Sequence, residues 1–130
     1  MKVIRLGPGE GRRYAMGRLE AVFKADEDET AEGYAVSEWY MEPGFEGVGA
    51  HSHEANDEVF YVLGGTPEIL TGEDWTRVKA GGFVRIPAGV AHDFRNLAGP
   101  RAVVLNVFIP GGFERDMPKI VDWFAANGGA

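Results

Sequence analysis

The sequence contains three histidines, His51, His53 and His92, and they fall where a metal ion would need them. In an extended segment, residues i and i+2 point to the same face. The imidazoles of His51 and His53 can therefore reach one point in space. Glu58 follows five residues after His53 and opens an apolar stretch. His92 arrives 39 residues after His53, directly behind the turn Pro87-Ala88-Gly89 and its two following residues. Three neutral imidazole nitrogens and one carboxylate suit a divalent first-row transition metal, with iron, manganese, nickel and zinc all compatible. Four protein ligands on an octahedral ion leave two positions for water or substrate, the open arrangement of a catalytic metal.

Positioning such ligands requires a rigid frame, and the pattern predicts strands. Short β-like runs alternate with turn clusters: 18–24, 34–41, 58–63, 68–70, 75–78, 83–86, 92–97 and 101–109. Thr71-Gly72-Glu73-Asp74 reads as a hairpin turn. Strands at this spacing predict an all-β sandwich or barrel. The N-terminal run Lys2–Leu6 reads as a further strand without an obvious partner. The last segment differs. Asp116 can cap a helix with Pro118 in its first turn. Met117, Ile120, Val121 and Phe124 then share one helical face, and Asn127-Gly128 is a stop signal. A single domain over 1–130 is expected, with a barrel over about 18–110 and a helix over about 116–127. The stretch Asp26–Glu32 carries five carboxylates and reads as a solvated loop.

Composition narrows the function classes. There are 13 Lys and Arg against 20 Asp and Glu, a net charge of −7, which disfavours nucleic acid or an anionic membrane as partner. No Cys occurs, which removes disulfides, thiolate ligands and Cys nucleophiles together. The longest apolar run, Val59 to Leu63, is far too short to span a bilayer. The N-terminal stretch is too short to act as a signal peptide, so a cytoplasmic location is expected.

The motifs resemble those of the cupin superfamily. His51, one residue, His53, four residues, Glu58, six residues, Gly65 matches the first cupin motif. Gly81, five residues, Pro87, one residue, Gly89, two residues, His92, three residues, Asn96 matches the second. The first motif departs at its opening glycine, where Phe45 stands and Gly44 lies one position earlier. The resemblance implies a jelly-roll barrel, the double-stranded β-helix, with metal ligands at His51, His53, Glu58 and His92. The stretches DEVFYVLGG, IPAGVAHDFRN and IPGGFE are similar to small single-domain cupins grouped with quercetin dioxygenase.

Counting alternately from the ligands, Phe60 and Val62 face inward with Glu58, and Phe94 faces inward with His92. These three are the expected substrate-binding side chains, in an interior suited to a small, largely apolar or aromatic substrate. Tyr61 faces away. Glu38 shares a face with Val36 and Tyr40, and alternation alone does not say whether that face is inside. Asn96 shares its face with His92 and reads as barrel packing. Glu58 is the expected catalytic group, a ligand carboxylate able to accept a substrate proton. The leading function is a metal-dependent, dioxygenase-like enzyme. Isomerase or lyase chemistry on a sugar or keto acid is the alternative, and a non-enzymatic metal- or ligand-binding protein is the third reading. Cupins of this size commonly pair, so a homodimer is expected.

Overall fold

Alternation of side chains decides which way each strand faces. The computed structural model describes residues 2–130. Among the described residues nine strands precede one α-helix: β1 Arg12–Ala15, β2 Leu19–Ala25, β3 Ala35–Met41, β4 Asp57–Gly64, β5 Glu68–Thr71, β6 Asp74–Arg77, β7 Phe83–Ile86, β8 His92–Arg95, β9 Ala102–Ile109 and α1 Met117–Ala126. They form a six-stranded sheet of order β1-β2-β3-β9-β4-β7 and a three-stranded sheet of order β6-β5-β8. Every pairing is antiparallel. The two sheets face each other as an all-β jelly-roll barrel.

In β3, Ala35, Ser37, Trp39 and Met41 are buried while Val36, Glu38 and Tyr40 are half-buried. This places Glu38 on the outer face, where it pairs with Lys24 at 3.1 Å. Trp39 is accommodated in the interior because its indole N–H donates to the Ser37 hydroxyl at 2.9 Å. In β4, Glu58, Phe60 and Val62 point inward and Tyr61 outward. In β9, Ala102, Val104, Asn106 and Phe108 are buried, so one amide sits within an otherwise apolar inward row. The core lies between the sheets, and Phe23, Phe45, Met41, Ile69 and Ile86 are almost wholly enclosed.

Three local readings are corrected. Lys2–Leu6 forms no strand, and Val3, Ile4 and Leu6 stay exposed. The first strand comes later, at Arg12–Ala15, because Gly7-Pro8-Gly9 interrupts any earlier ladder. Asp26 is not solvated but buried at 2 % exposure. Its carboxylate accepts backbone N–H groups from Glu27, Gly112 and Glu114 at 2.6–2.8 Å, tying the acidic stretch to the segment before α1. Asp116 does not cap α1 through its side chain. A 3-10 turn over Glu114–Asp116 leads directly into the helix, so Asp116 already has helical backbone angles.

Helix α1 lies against the barrel through Met117 and Phe124, both buried, with Ile120 and Val121 packed beside them. Phe124→Ala should cost about 3 kcal/mol and lower the melting temperature by roughly 10 °C. Truncation after Gly112 should destabilise further, since it also removes Met117 and Phe113. Thermal unfolding followed by circular dichroism checks both, and an unchanged melting temperature in either would show that the helix does not support the barrel.

Candidate metal centre

The site draws on both sheets and on the loop between β3 and β4. Glu58 projects from β4 in the large sheet, and His92 from β8 in the small one. His51 and His53 lie in the connecting loop, which is held down in three ways. His51 and His92 exchange backbone hydrogen bonds at 3.0 and 2.8 Å. The Gly89 N–H donates to the His53 carbonyl at 2.9 Å. Asp93 accepts from the N–H groups of Val48 and Gly49, both at 3.1 Å. Gly47 is required there, because a Cβ at that position would sit 2.6 Å from the Asp93 carboxylate and its φ is +110°.

These restraints bring the imidazoles together. Ring centroids lie 4.4 Å apart for His51 and His92, 5.1 Å for His51 and His53, and 5.3 Å for His53 and His92. Each of the three offers a nitrogen within 4.8 Å of the others. Glu58 completes the group, with Oε1 3.3 Å from His53 Nε2 and Oε2 3.2 Å from His92 Nε2.

The donor set fits a metal ion. Nδ1 of His51 lies 2.8 Å from the Gly49 carbonyl, and Nδ1 of His92 lies 2.9 Å from the Val90 carbonyl. A carbonyl only accepts, so each Nδ1 carries a proton, and each Nε2 is left to meet a metal with its lone pair or, in His92, to carry a second proton toward Glu58. Nε2 of His53, Nε2 of His92 and Oε2 of Glu58 are buried and have no hydrogen-bond partner. The short contacts between them thus have the geometry of groups facing a common point. Such orphaned polar atoms are costly in an interior unless something meets them. A transition metal can be held by the three-histidine cluster.

The electrostatics follow from burial and pairing. Burial pushes the Glu58 carboxyl up, but His53 and His92 outweigh it and hold it down at about 2. Burial likewise lowers His92, yet the Glu58 carboxylate and the Val90 carbonyl carry it above its ordinary value. His51, which has no carboxylate so close, is lowered by burial.

A cavity of about 410 Å³ opens beside this group. His51, His53 and Glu58 contribute to its lining. Trp39, Phe60, Phe94 and Phe113 wall it, and Ile120, Trp123 and Phe124 of α1 border it. Phe60 and Phe94 therefore line the cavity, as does the inward row of β9 through Asn106. Val62 faces inward too but lies two residues further along β4, in the sealed core and outside the cavity lining. Asn96 is buried elsewhere, its amide donating to the carbonyls of Met41 and Pro100. Phe45, at the position where the first motif departs, fills the core at 0 % exposure against Phe94.

Several residues of the site escaped the sequence reading. Asp93 falls between two inward residues and should point to solvent, but the loop before His51 covers it. Phe113 follows the last strand in a segment without periodicity, yet its ring packs edge-on to Phe108 and His53. Asn106 carried a usable signal, as the one amide in the inward row of an apolar strand.

Comparison with known proteins agrees with this architecture. Quercetin 2,3-dioxygenase of Bacillus subtilis is 29% identical over 110 residues, covering 84% of this chain and 32% of that protein. An uncharacterized protein of Streptomyces coelicolor is 41% identical over 56 residues, covering 43% of this chain and 52% of that protein. The chain thus spans about half or less of the curated relatives it matches. A predicted oxalate decarboxylase from Thermotoga maritima superimposes with a TM-score of 0.72 at 23% identity, over 84% of this chain and 99% of that one. With the barrel and its paired motifs in place, and residues 37–108 matching the model of the cupin domain, the chain belongs to the cupin family.

Proposed function

We propose that the chain is a metal-dependent, dioxygenase-like enzyme acting on a small, largely apolar or aromatic substrate that carries an oxygen donor. The observation that carries this is the convergence of unpartnered His53 Nε2, His92 Nε2 and Glu58 Oε2 beside an aromatic-walled cavity that His51, His53 and Glu58 help to line. The likeness to a quercetin 2,3-dioxygenase supports it. His51, His53, Glu58 and His92 are the proposed ligands of one divalent ion, whether iron, manganese, nickel or zinc. Such an ion supplies Lewis-acid chemistry there and, if redox-active, electron transfer.

The chain's own residues do the rest. Phe60 and Phe94, with Trp39 and Phe113, hold the apolar body of the substrate and keep water out. Confinement beside the ion turns an encounter into a positioned pair. Glu58 is ionised throughout the neutral range, so it can take a proton from a substrate oxygen once its imidazole contacts yield.

Elemental analysis tests the ligand set. His51→Ala and His92→Ala should each lose most of the bound ion, and full metal content in either would overturn the site. Loading also has a pH sign. Ligation needs deprotonated imidazoles, and Glu58 raises His92 above its ordinary value, so occupancy should already fall as pH drops through about 6.5.

Glu58→Gln should keep part of its metal yet lose about 10²-fold in turnover beyond that loss. The assay is oxygen consumption over flavonols, catechols, β-diketones and small thiols, with iron-, nickel- and manganese-loaded protein. Silence throughout, with turnover in an anaerobic isomerase or lyase assay, would replace the oxygenase reading by Lewis-acid chemistry.

A homodimer is part of the proposal. Tyr61, Leu63, Phe83 and Ile109 are exposed on strands of the large sheet, and β4 and β7 place Tyr61 opposite Phe83. Sedimentation at micromolar concentration should give twice 14.1 kDa, and a 14.1 kDa species would sink it.

A further inference from the structure

Helix α1 carries one large apolar side chain that its packing does not use. Its inward stripe is Met117, Ile120, Val121 and Phe124, and Phe124 is only 7 % exposed. Trp123 lies off that stripe and is 58 % exposed, with its ring edge-on to Phe124 at 5.1 Å. It nonetheless borders the cavity, together with Ile120 and Phe124, and its ring pairs with that of Phe124 and with none of the histidine rings. The indole therefore belongs to the open rim of the cavity, with water over much of its surface.

The cavity is also larger than a single ring needs. A void of roughly 150 Å³ accommodates benzene, whereas this one measures about 410 Å³. A one-ring compound anchored at the histidine end leaves the rim unfilled. A flat two-ring compound extends toward α1 and covers apolar surface on Trp123 that is otherwise wet.

We infer that Trp123 is a specificity-determining residue, which selects flat, fused two-ring substrates by stacking on the ring furthest from the histidines. The inference rests on the proposed metal centre as the anchor for the other end. Aromatic contact of this kind corresponds to about ten-fold in affinity.

The test uses two probes with the same pair of chelating oxygens, catechol and 2,3-dihydroxynaphthalene, titrated calorimetrically into the metal-loaded full chain. The two-ring probe should bind about ten-fold more tightly. Trp123→Ala should abolish that advantage while leaving catechol affinity, metal content and melting temperature unchanged, and Trp123→Phe should restore most of it. Equal affinities in the unaltered protein, or an advantage that survives in Trp123→Ala, would overturn the role of Trp123 while catechol binding still upheld the metal anchor. Conversion of a dimer to a monomer by Trp123→Ala, with both affinities unchanged, would assign the indole to a subunit contact instead. If neither probe binds the metal-loaded protein, or both bind the metal-free protein equally well, the anchor itself is wrong.

Discussion

Taking three imidazoles and a carboxylate out of water is the constraint around which this barrel is organised. An unpaired buried carboxylate is strongly disfavoured, and Glu58 is nearly enclosed. It persists in ionised form because His53 and His92 face it from two directions. That requirement fixes the architecture. Glu58 and His92 belong to different sheets, so the sheets must oppose each other at that level. His51 must reach the same point from a loop, so the loop must be bridged to β8. The Nδ1 contacts to Gly49 and Val90 set which nitrogen of His51 and His92 is free to act.

Two other buried carboxylates do comparable work on the backbone. Asp93 gathers the N–H groups of Val48 and Gly49, and Asp26 gathers those of Glu27, Gly112 and Glu114. A carboxylate that accepts several N–H donors is well satisfied in an interior and holds a loop in one shape. In both places a glycine passes close by. A Cβ at Gly47 or at Gly111 would stand 2.6 Å from the carboxylate oxygen. Asp93 thereby positions the approach to His51, and Asp26 positions the segment carrying Phe113, whose ring rests against His53. The histidine cluster and the aromatic wall of the cavity are each held by one such anchor.

The barrel itself says little about chemistry, since one fold hosts many reactions. The lining is the more specific feature: aromatic walls, one inward amide at Asn106, and residues of α1 at the border. Phe23, Trp39, Phe94 and Phe113 form a connected set of ring contacts running from the core to the cavity wall. The core and the wall of the cavity consequently share side chains, among them Trp39, Phe60 and Phe94.

The strands, the inward faces of β4 and β8 and the stripe of α1 were legible in the sequence, because each follows from periodicity within a few consecutive residues. The four candidate ligands were legible as well, because their spacing and types have few other uses. Alternation could not say which face of β3 is inside, since both faces carry aromatic residues. Contact with β9 and the opposite sheet settles that by burying Trp39. Tertiary structure also decided the fates of Asp26 and Asp93. Their carboxylates are satisfied by N–H groups 86 and 45 residues away, a separation no local pattern records. The cavity belongs to the same class. Its volume and rim exist only where the helix that ends the chain returns over the strands that begin it, so its shape is a property of packing at long range and of no single segment.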